Sequence, residues 1–299
     1  MRALRHVLVG AKALCSDDVG FVPLAFNGIR GGVHVCSNYE LSEKGVYLPW
    51  LFSFGRRSFL ANYFKSVIES QYEAFYAADW RAEIAGRLHG KGVEIGALHR
   101  PLVCPNAVEM DYVDRLSYED LKIHYAELKS LDIVHPTIVT DAETLTGISD
   151  NAYDFLVSAH IIEHMRDPIG ALFSWVRVVR PGGYVYLIIP DAREIFDRYR
   201  ERTSLEHLIM DYVEPSVERD YLHYLDYSLF VHDKIDGGAI EDADRLVADD
   251  YSIHYHVFLP SDIIKLINWV SANVCKCSIA FGPVSSHGSD EFHVLIQVN

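Results

Sequence analysis

The strongest pattern along the chain is an alternation of short apolar runs with amphipathic stretches, and it begins near Gly90. The runs Gly92–Gly96 (GVEIG), Val108–Val113 (VEMDYV), Thr137–Ala142 (TIVTDA), Tyr153–Ala159 (YDFLVSA) and Gly183–Pro190 (GYVYLIIP) read as strands separated by helical segments. Such alternation predicts βαβ units and a parallel sheet covered by helices on both faces. The helix before the fifth strand is predicted over 169–179. Asp167-Pro168 stands at its start, where proline suits a first turn, and Pro181-Gly182-Gly183 stops it.

The flanks are patterned differently. Residues 1–60 hold short apolar alternations cut by Gly and Pro, which predict turns and a few strands. From Arg57 to Arg87, aromatic and aliphatic residues (Phe59, Tyr63, Phe64, Val67, Tyr72, Phe75, Trp80, Ile84) recur at helical spacing. They predict one or two helices that pack a core or serve as a lid. From Asp191 to His256 the strand rhythm ceases in a segment rich in Asp, Glu, Tyr and His. Pro260-Ser261-Asp262 then opens an amphipathic helix, and two closing strands follow in 276–282 and 292–298. The expected architecture is α/β: a Rossmann-like, doubly wound, mostly parallel sheet with an N-terminal extension and an inserted helical cap. Its parts are 1–85 (extension or lid), 86–190 (cofactor-binding core), 191–257 (substrate cap) and 258–299 (helix and strands completing the core).

Composition narrows the function. The 299 residues are 49% hydrophobic and 23% charged, with a net charge of −15. That sign repels a phosphate backbone, whose binding rests on Lys and Arg, so nucleic acid is not an expected partner. The five cysteines (15, 36, 104, 275, 277) lack a framework spacing and read as free thiols of a reducing compartment. No run is long and apolar enough to span a bilayer, and the opening MRALRHVLVG is a poor signal peptide. A soluble, cytoplasmic protein is expected.

The candidate chemistry lies where the predicted strands end. Val93-Glu94-Ile95-Gly96 closes the first strand on a glycine, which admits close backbone approach of a ligand. Leu98 and Arg100 stand where a glycine-rich turn would place glycines, which speaks against a pyrophosphate cradle and a nicotinamide dehydrogenase. Asp111, near the end of the second strand, suits ribose hydroxyls. Asp141 and Ala142 after the third suit an exocyclic amine and a ring nitrogen.

This order of motifs, continued by Ala159-His160-Ile161-Ile162-Glu163-His164 and by Val178-Val179-Arg180-Pro181-Gly182-Gly183, resembles the class I methyltransferases that use S-adenosylmethionine, in their small-molecule, type 11-like branch. The resemblance covers about 100 residues. It implies that Glu94, Gly96, Ala97 and Leu98 hold the methionine end of the cofactor, Asp111 the ribose, Asp141, Ala142 and Glu143 the adenine, and that Ala159 and His160 lie by the sulfonium. The implied activity is methyl transfer to O or N of a small molecule or glycan unit, yielding S-adenosylhomocysteine. The same fold with non-methylating chemistry and a non-catalytic binding module are the alternatives.

A hydroxyl acceptor needs a base near neutral pKa, and His160, His164, His254 and His256 are the candidates. Tyr221, Tyr224, Tyr227 and Phe230 are expected to cap the acceptor. A metal pair from His254 and His256, completed by Asp226, Asp233 or His232, is weighed and not assigned, because histidines among scattered acids are more often polar neighbours. The N-terminal aromatic stretch suits a homodimer as well as a lid.

Overall fold

The computed structural model describes residues 78–299 apart from Lys129 and Asp236. The expected N-terminal extension, its strands, Cys15, Cys36 and all but the last turn of the aromatic stripe fall outside the described residues.

Seven strands form one sheet: β1 (Gly90–Ile95), β2 (Ala107–Asp114), β3 (Ile138–Val139), β4 (Tyr153–Ala159), β5 (Val179–Pro190), β6 (Cys277–Val284) and β7 (Glu291–Val298), in the order β3-β2-β1-β4-β5-β7-β6. Strands β1 to β5 run parallel, and β7 enters antiparallel between β5 and β6. The mostly parallel, doubly wound sheet is the one the alternation predicts, with one reversed strand. Because β7 runs backwards, its first residue, Glu291, pairs with Pro190 at the carboxyl end of β5. That register carries a late acidic residue to the ligand-binding edge of the sheet.

Helix α1 (Trp80–Ala85) buries Trp80 and Ile84, the last members of the aromatic stripe, and Trp80 packs its ring 5.5 Å from that of Phe281. Helix α2 (Tyr118–His124) follows β2. Helix α3 (Pro168–Val178) is capped by the Asp167 carboxylate, which accepts from Gly170 N at 2.9 Å, with Pro168 in its first turn. It buries Ile169, Leu172 and Trp175 against the sheet, and each such side chain contributes roughly 1.5–3 kcal/mol by leaving water. Helix α7 (Pro260–Asn273) adds Ile263, Leu266, Ile267 and Val270 to the same core.

Between β5 and α7 lie α4 (Leu205–Val213), α5 (Val217–Phe230) and α6 (Ala239–Ala248). This insertion has a small core of its own, built of Tyr224, Tyr227, Ala243, Leu246, Ile253 and Tyr255. No helix among the described residues is long and apolar enough to cross a membrane.

Candidate active site

A cleft of about 1150 Å³ opens at the carboxyl ends of β1, β2, β3 and β4. Parallel sheets bind ligands there because the strand order reverses between β1 and β4 and leaves a crevice. Nearly every residue expected to hold the cofactor lines it: Glu94, Gly96, Ala97, Leu98, Asp141, Ala142, Glu143, Ala159 and His160.

The turn after β1 explains how the chain dispenses with further glycines. Gly96 has φ +66°, and a side chain there would run into Ile161. Leu98 takes φ +46°, the left-handed region that a glycine would ordinarily supply. A bulky residue held there stores roughly 1–3 kcal/mol of strain, a cost that concentrates at ligand sites. Glu94 is buried, and both its oxygens lie 3.0 Å from the Leu102 N–H, which donates to them. Burial pushes its carboxyl up to about 7, against that hydrogen bond and the Arg81 charge.

Asp111 is a correction. It sits inside β2, not at its end, and its carboxylate accepts from the Tyr153 hydroxyl and the Thr137 hydroxyl, both at 2.9 Å, with Lys91 Nζ at 3.2 Å. Burial alone would raise its pKa, but these donors hold it below the usual carboxylate value. It does not line the cleft. Asp114, the last residue of β2, does. One oxygen of Asp114 accepts from Leu116 N at 3.2 Å, and burial raises its carboxyl above the ordinary value. The two acids are three residues apart, so on a strand they face opposite sides of the sheet. The sequence reading stopped the strand too early to choose between them.

In the loop after β3, Asp141 Oδ1 accepts from Glu143 N and Thr144 N at 3.0 Å, which folds the loop. The Ala142 carbonyl accepts from Trp175 Nε1 at 2.8 Å, so the loop is tied to α3. The Glu143 carboxylate accepts from Arg166 N and Asp167 N, at 3.2 and 3.0 Å. Its oxygens are taken up in joining that loop to the start of α3.

Among the histidines, His160 and His164 line the cleft. His160 has φ +54° and sets its Nε2 2.8 Å from Glu291 Oε2, while Glu291 receives a two-pronged hydrogen bond from Arg81 at 2.6 Å. Burial alone would lower the His160 pKa, but the Glu291 hydrogen bond and the Glu163 and Glu291 charges carry it above the ordinary value. Glu291, despite its burial, is held far below the carboxylate range by Arg81 and His160. His164 is pushed down to about 3 by burial and the neighbouring His254, and its Nδ1 donates to the Ile253 carbonyl at 2.8 Å.

His254 and His256 are further corrections. Both are buried beneath the cleft wall and neither lines it. His254 Nδ1 pairs with Asp197 at 2.6 Å, and His256 Nε2 donates to the Arg166 carbonyl at 3.2 Å. In an extended segment their shared face points inward, so the residue between them, Tyr255, faces the cleft. Its hydroxyl lies 2.7 Å from the Tyr224 hydroxyl and accepts from Arg166 Nε at 3.1 Å. Of the expected acceptor cap, Tyr224 and Tyr227 instead fill the insertion's own core, and Tyr221 donates to Asp244. Asp250, Tyr251 and Ser252 reach the cleft from the insertion. Asp226 is engaged by Arg200 and His232 by Asp242, so neither completes a metal pair with His254.

A reversed strand beside five parallel ones, with a crevice ringed by acids at their carboxyl ends, defines a Rossmann-like domain that holds a nucleoside-type cofactor. Residues 90–187 match the family described as "Methyltransferase domain". These residues therefore form a class I, type 11-like methyltransferase domain of the S-adenosylmethionine-dependent kind, with S-adenosylmethionine as its cofactor. No protein of curated function matches the chain at a significant level.

Among solved structures, the S-adenosylmethionine-dependent methyltransferase of Aquifex aeolicus is 12% identical over 80% of this chain and 98% of its own, with a TM-score of 0.41. A protein of Rhodobacter sphaeroides named as a Zn-dependent alcohol dehydrogenase is 13% identical over 77% and 94%, with a TM-score of 0.46. One of Bacillus halodurans C-125 named as a methyltransferase is 13% identical over 72% and 94%, with a TM-score of 0.37.

Proposed function

We propose that the enzyme methylates an oxygen or nitrogen of a small-molecule acceptor or glycan unit, with the His160–Glu291 pair receiving the acceptor's proton. The observation that carries this reading is the imidazole of His160 on the cleft wall, backed at 2.8 Å by a carboxylate that Arg81 keeps ionised. A base of this kind is what a hydroxyl or ammonium acceptor requires, and a soft thiolate acceptor has no need of it.

The residues present fit the cofactor. Asp114 stands at the strand end suited to ribose hydroxyls, and Asp141 with the Ala142 backbone suits the adenine. Glu94 and the glycine turn at Gly96 suit the methionine end, where a buried carboxylate can orient an ammonium directly or through water. When bound, S-adenosylmethionine supplies a methyl group on a positively charged sulfur that leaves readily. The chain's own residues then have to orient the acceptor, exclude water and accept one proton. Tyr255, Arg166 and the Asp250–Ser252 stretch line the side of the cleft belonging to the insertion, and we assign that segment, 191–257, to acceptor binding. The net charge of −15 favours small acceptors over nucleic acid.

The test is adenosylhomocysteine release with a panel of hydroxyl, amine and thiol acceptors, read alongside the methylated product. A hydroxyl or amine acceptor turned over by wild type, with His160→Asn lowering kcat by about 100-fold or more at unchanged cofactor affinity, supports the reading. Cofactor binding without any methylated product, or full activity in His160→Asn, overturns it.

A further inference from the structure

A second group of chemically active side chains stands apart from the cleft. Helix α4 carries His207 and Asp211 four residues apart, so both project from one helical face. Helix α5 brings His223, and the extended segment before α7 brings His256. Their donor atoms converge. His207 Nε2 is 3.2 Å from His223 Nε2 and 3.1 Å from Asp211 Oδ2, and His223 Nε2 is 4.0 Å from the same oxygen. All four side chains offer a ligand atom within 4.8 Å of every other. In a tetrahedral zinc site with bonds of about 2.0–2.1 Å, neighbouring donors stand about 3.3 Å apart. The observed spacings bracket that value.

One of these atoms, His256 Nδ1, is buried and has no hydrogen-bond partner, and Asp211 Oδ2, also buried, meets only the ring nitrogen of His207, at 3.1 Å. A buried polar atom costs roughly 1–3 kcal/mol if nothing meets it. The two facing imidazole nitrogens of His207 and His223 add a lone-pair conflict that one shared proton relieves for that pair alone.

The other polar atoms of the same side chains are already engaged. Arg219 Nε donates to Asp211 Oδ1 at 2.7 Å, His256 Nε2 donates to the Arg166 carbonyl at 3.2 Å, and the His223 ring has a backbone hydrogen bond at Tyr255. Metal ligands are commonly oriented in this way, one atom fixed by an outer partner and the other turned inward.

We propose that His207, Asp211, His223 and His256 form a structural site for a divalent transition-metal ion of the zinc type, with three imidazole nitrogens and one carboxylate oxygen closing a tetrahedral shell. The donor set is wrong for Mg²⁺ or Ca²⁺, which take oxygen ligands, and right for Zn²⁺ and its neighbours. Four protein ligands leave no position open to substrate, which marks the site as structural. None of the four lines the cleft. The ion joins α4 and α5 to the segment that holds Tyr255 in the cleft wall. It therefore fixes one side of the pocket from behind.

The site is tested on the full chain, purified without chelator or metal-affinity tag, then stripped and titrated with Zn²⁺ against a chromogenic chelator. One equivalent of Zn²⁺ per chain is expected. Co²⁺ loaded in its place should give the intense visible bands of a tetrahedral ion, a readout of the wild type that needs no variant. Asp211→Asn combined with His223→Gln should weaken Zn²⁺ binding by at least about 100-fold and abolish the bands. His254→Gln, at a residue outside the four ligands that belongs to the neighbouring Glu163–His164–His254 group and pairs with Asp197, should leave both intact. Failure of the wild type to bind Zn²⁺, octahedral or absent Co²⁺ bands, undiminished binding in the double variant, or loss in His254→Gln overturns the proposal.

Discussion

At the scale of single residues, the two acids of β2 have different work. Asp111 is committed to Tyr153, Thr137 and Lys91, whereas Asp114 lines the cleft and accepts from the backbone N–H of Leu116. Asp114→Ala should weaken S-adenosylmethionine binding by roughly 10- to 100-fold, the worth of charge-assisted hydrogen bonds to ribose. Asp111→Ala should leave the affinity within about threefold and cost stability instead. Titration calorimetry on both variants decides, and equal losses of affinity would reverse the assignment. His160 makes a second residue-level prediction. A base must be neutral to accept a proton, and Glu291 raises the His160 pKa above 6.5. The acid limb of the pH–rate profile should therefore lie above that value, and Glu291→Gln should move it downward. An unmoved limb would detach the histidine from the rate.

At the scale of elements, the sequence was most informative where a strand and its closing turn are contiguous. Val93–Gly96 and Tyr153–His160 carry both the fold signal and the cleft residues within a few positions, so periodicity and turn chemistry were enough to locate them. Glu291 gave no such signal. It meets His160 across 131 positions of chain, through a reversed strand whose register no local pattern encodes. His254 and His256 failed for the opposite reason. Their spacing correctly implied one shared face, but alternation does not say which face meets the solvent. The tyrosines of α5 misled because an inserted segment large enough to fold needs its own core, and Tyr224 and Tyr227 supply it. That core makes the insertion a separable unit of stability. Leu246→Ala, at a fully buried position within it, should cost about 2–5 kcal/mol locally. Hydrogen exchange should quicken across α5 and α6 while β4 and β5 keep their protection. Uniform loss of protection would show the insertion and the sheet to be one cooperative body.

At the scale of the whole molecule, buried histidines tie stability to pH. His293 lies between the Tyr186 hydroxyl, at 2.9 Å from its Nδ1, and Glu291, and burial pushes it down to about 4 despite the Glu291 charge. Its pKa is lowered on folding, so the unfolded chain binds the extra proton. The stability it contributes is complete above about 6.5 and is lost as pH falls toward 4. Wild type should therefore lose about 1.4 kcal/mol per pH unit more than His293→Gln across that window. Parallel melting curves from pH 7 to pH 5 check this, and identical slopes would assign the acid sensitivity to other groups.

The reversed strand has a consequence for synthesis. β7 is the last of the seven strands to be translated, yet it fills an interior slot between β5 and β6. Until it arrives, β5 presents an unpaired edge and β6 has no neighbour to join, a state in which a nascent chain is open to wrong pairing. The side of the cleft made from β1 to β3, which we propose takes the adenosine, is encoded early and needs none of this. His160 acquires its carboxylate partner only when β7 docks. A half-made chain could thus hold a cofactor well before it could use one, and the capacity to bind and the capacity to react would switch on at separate moments in the life of each molecule.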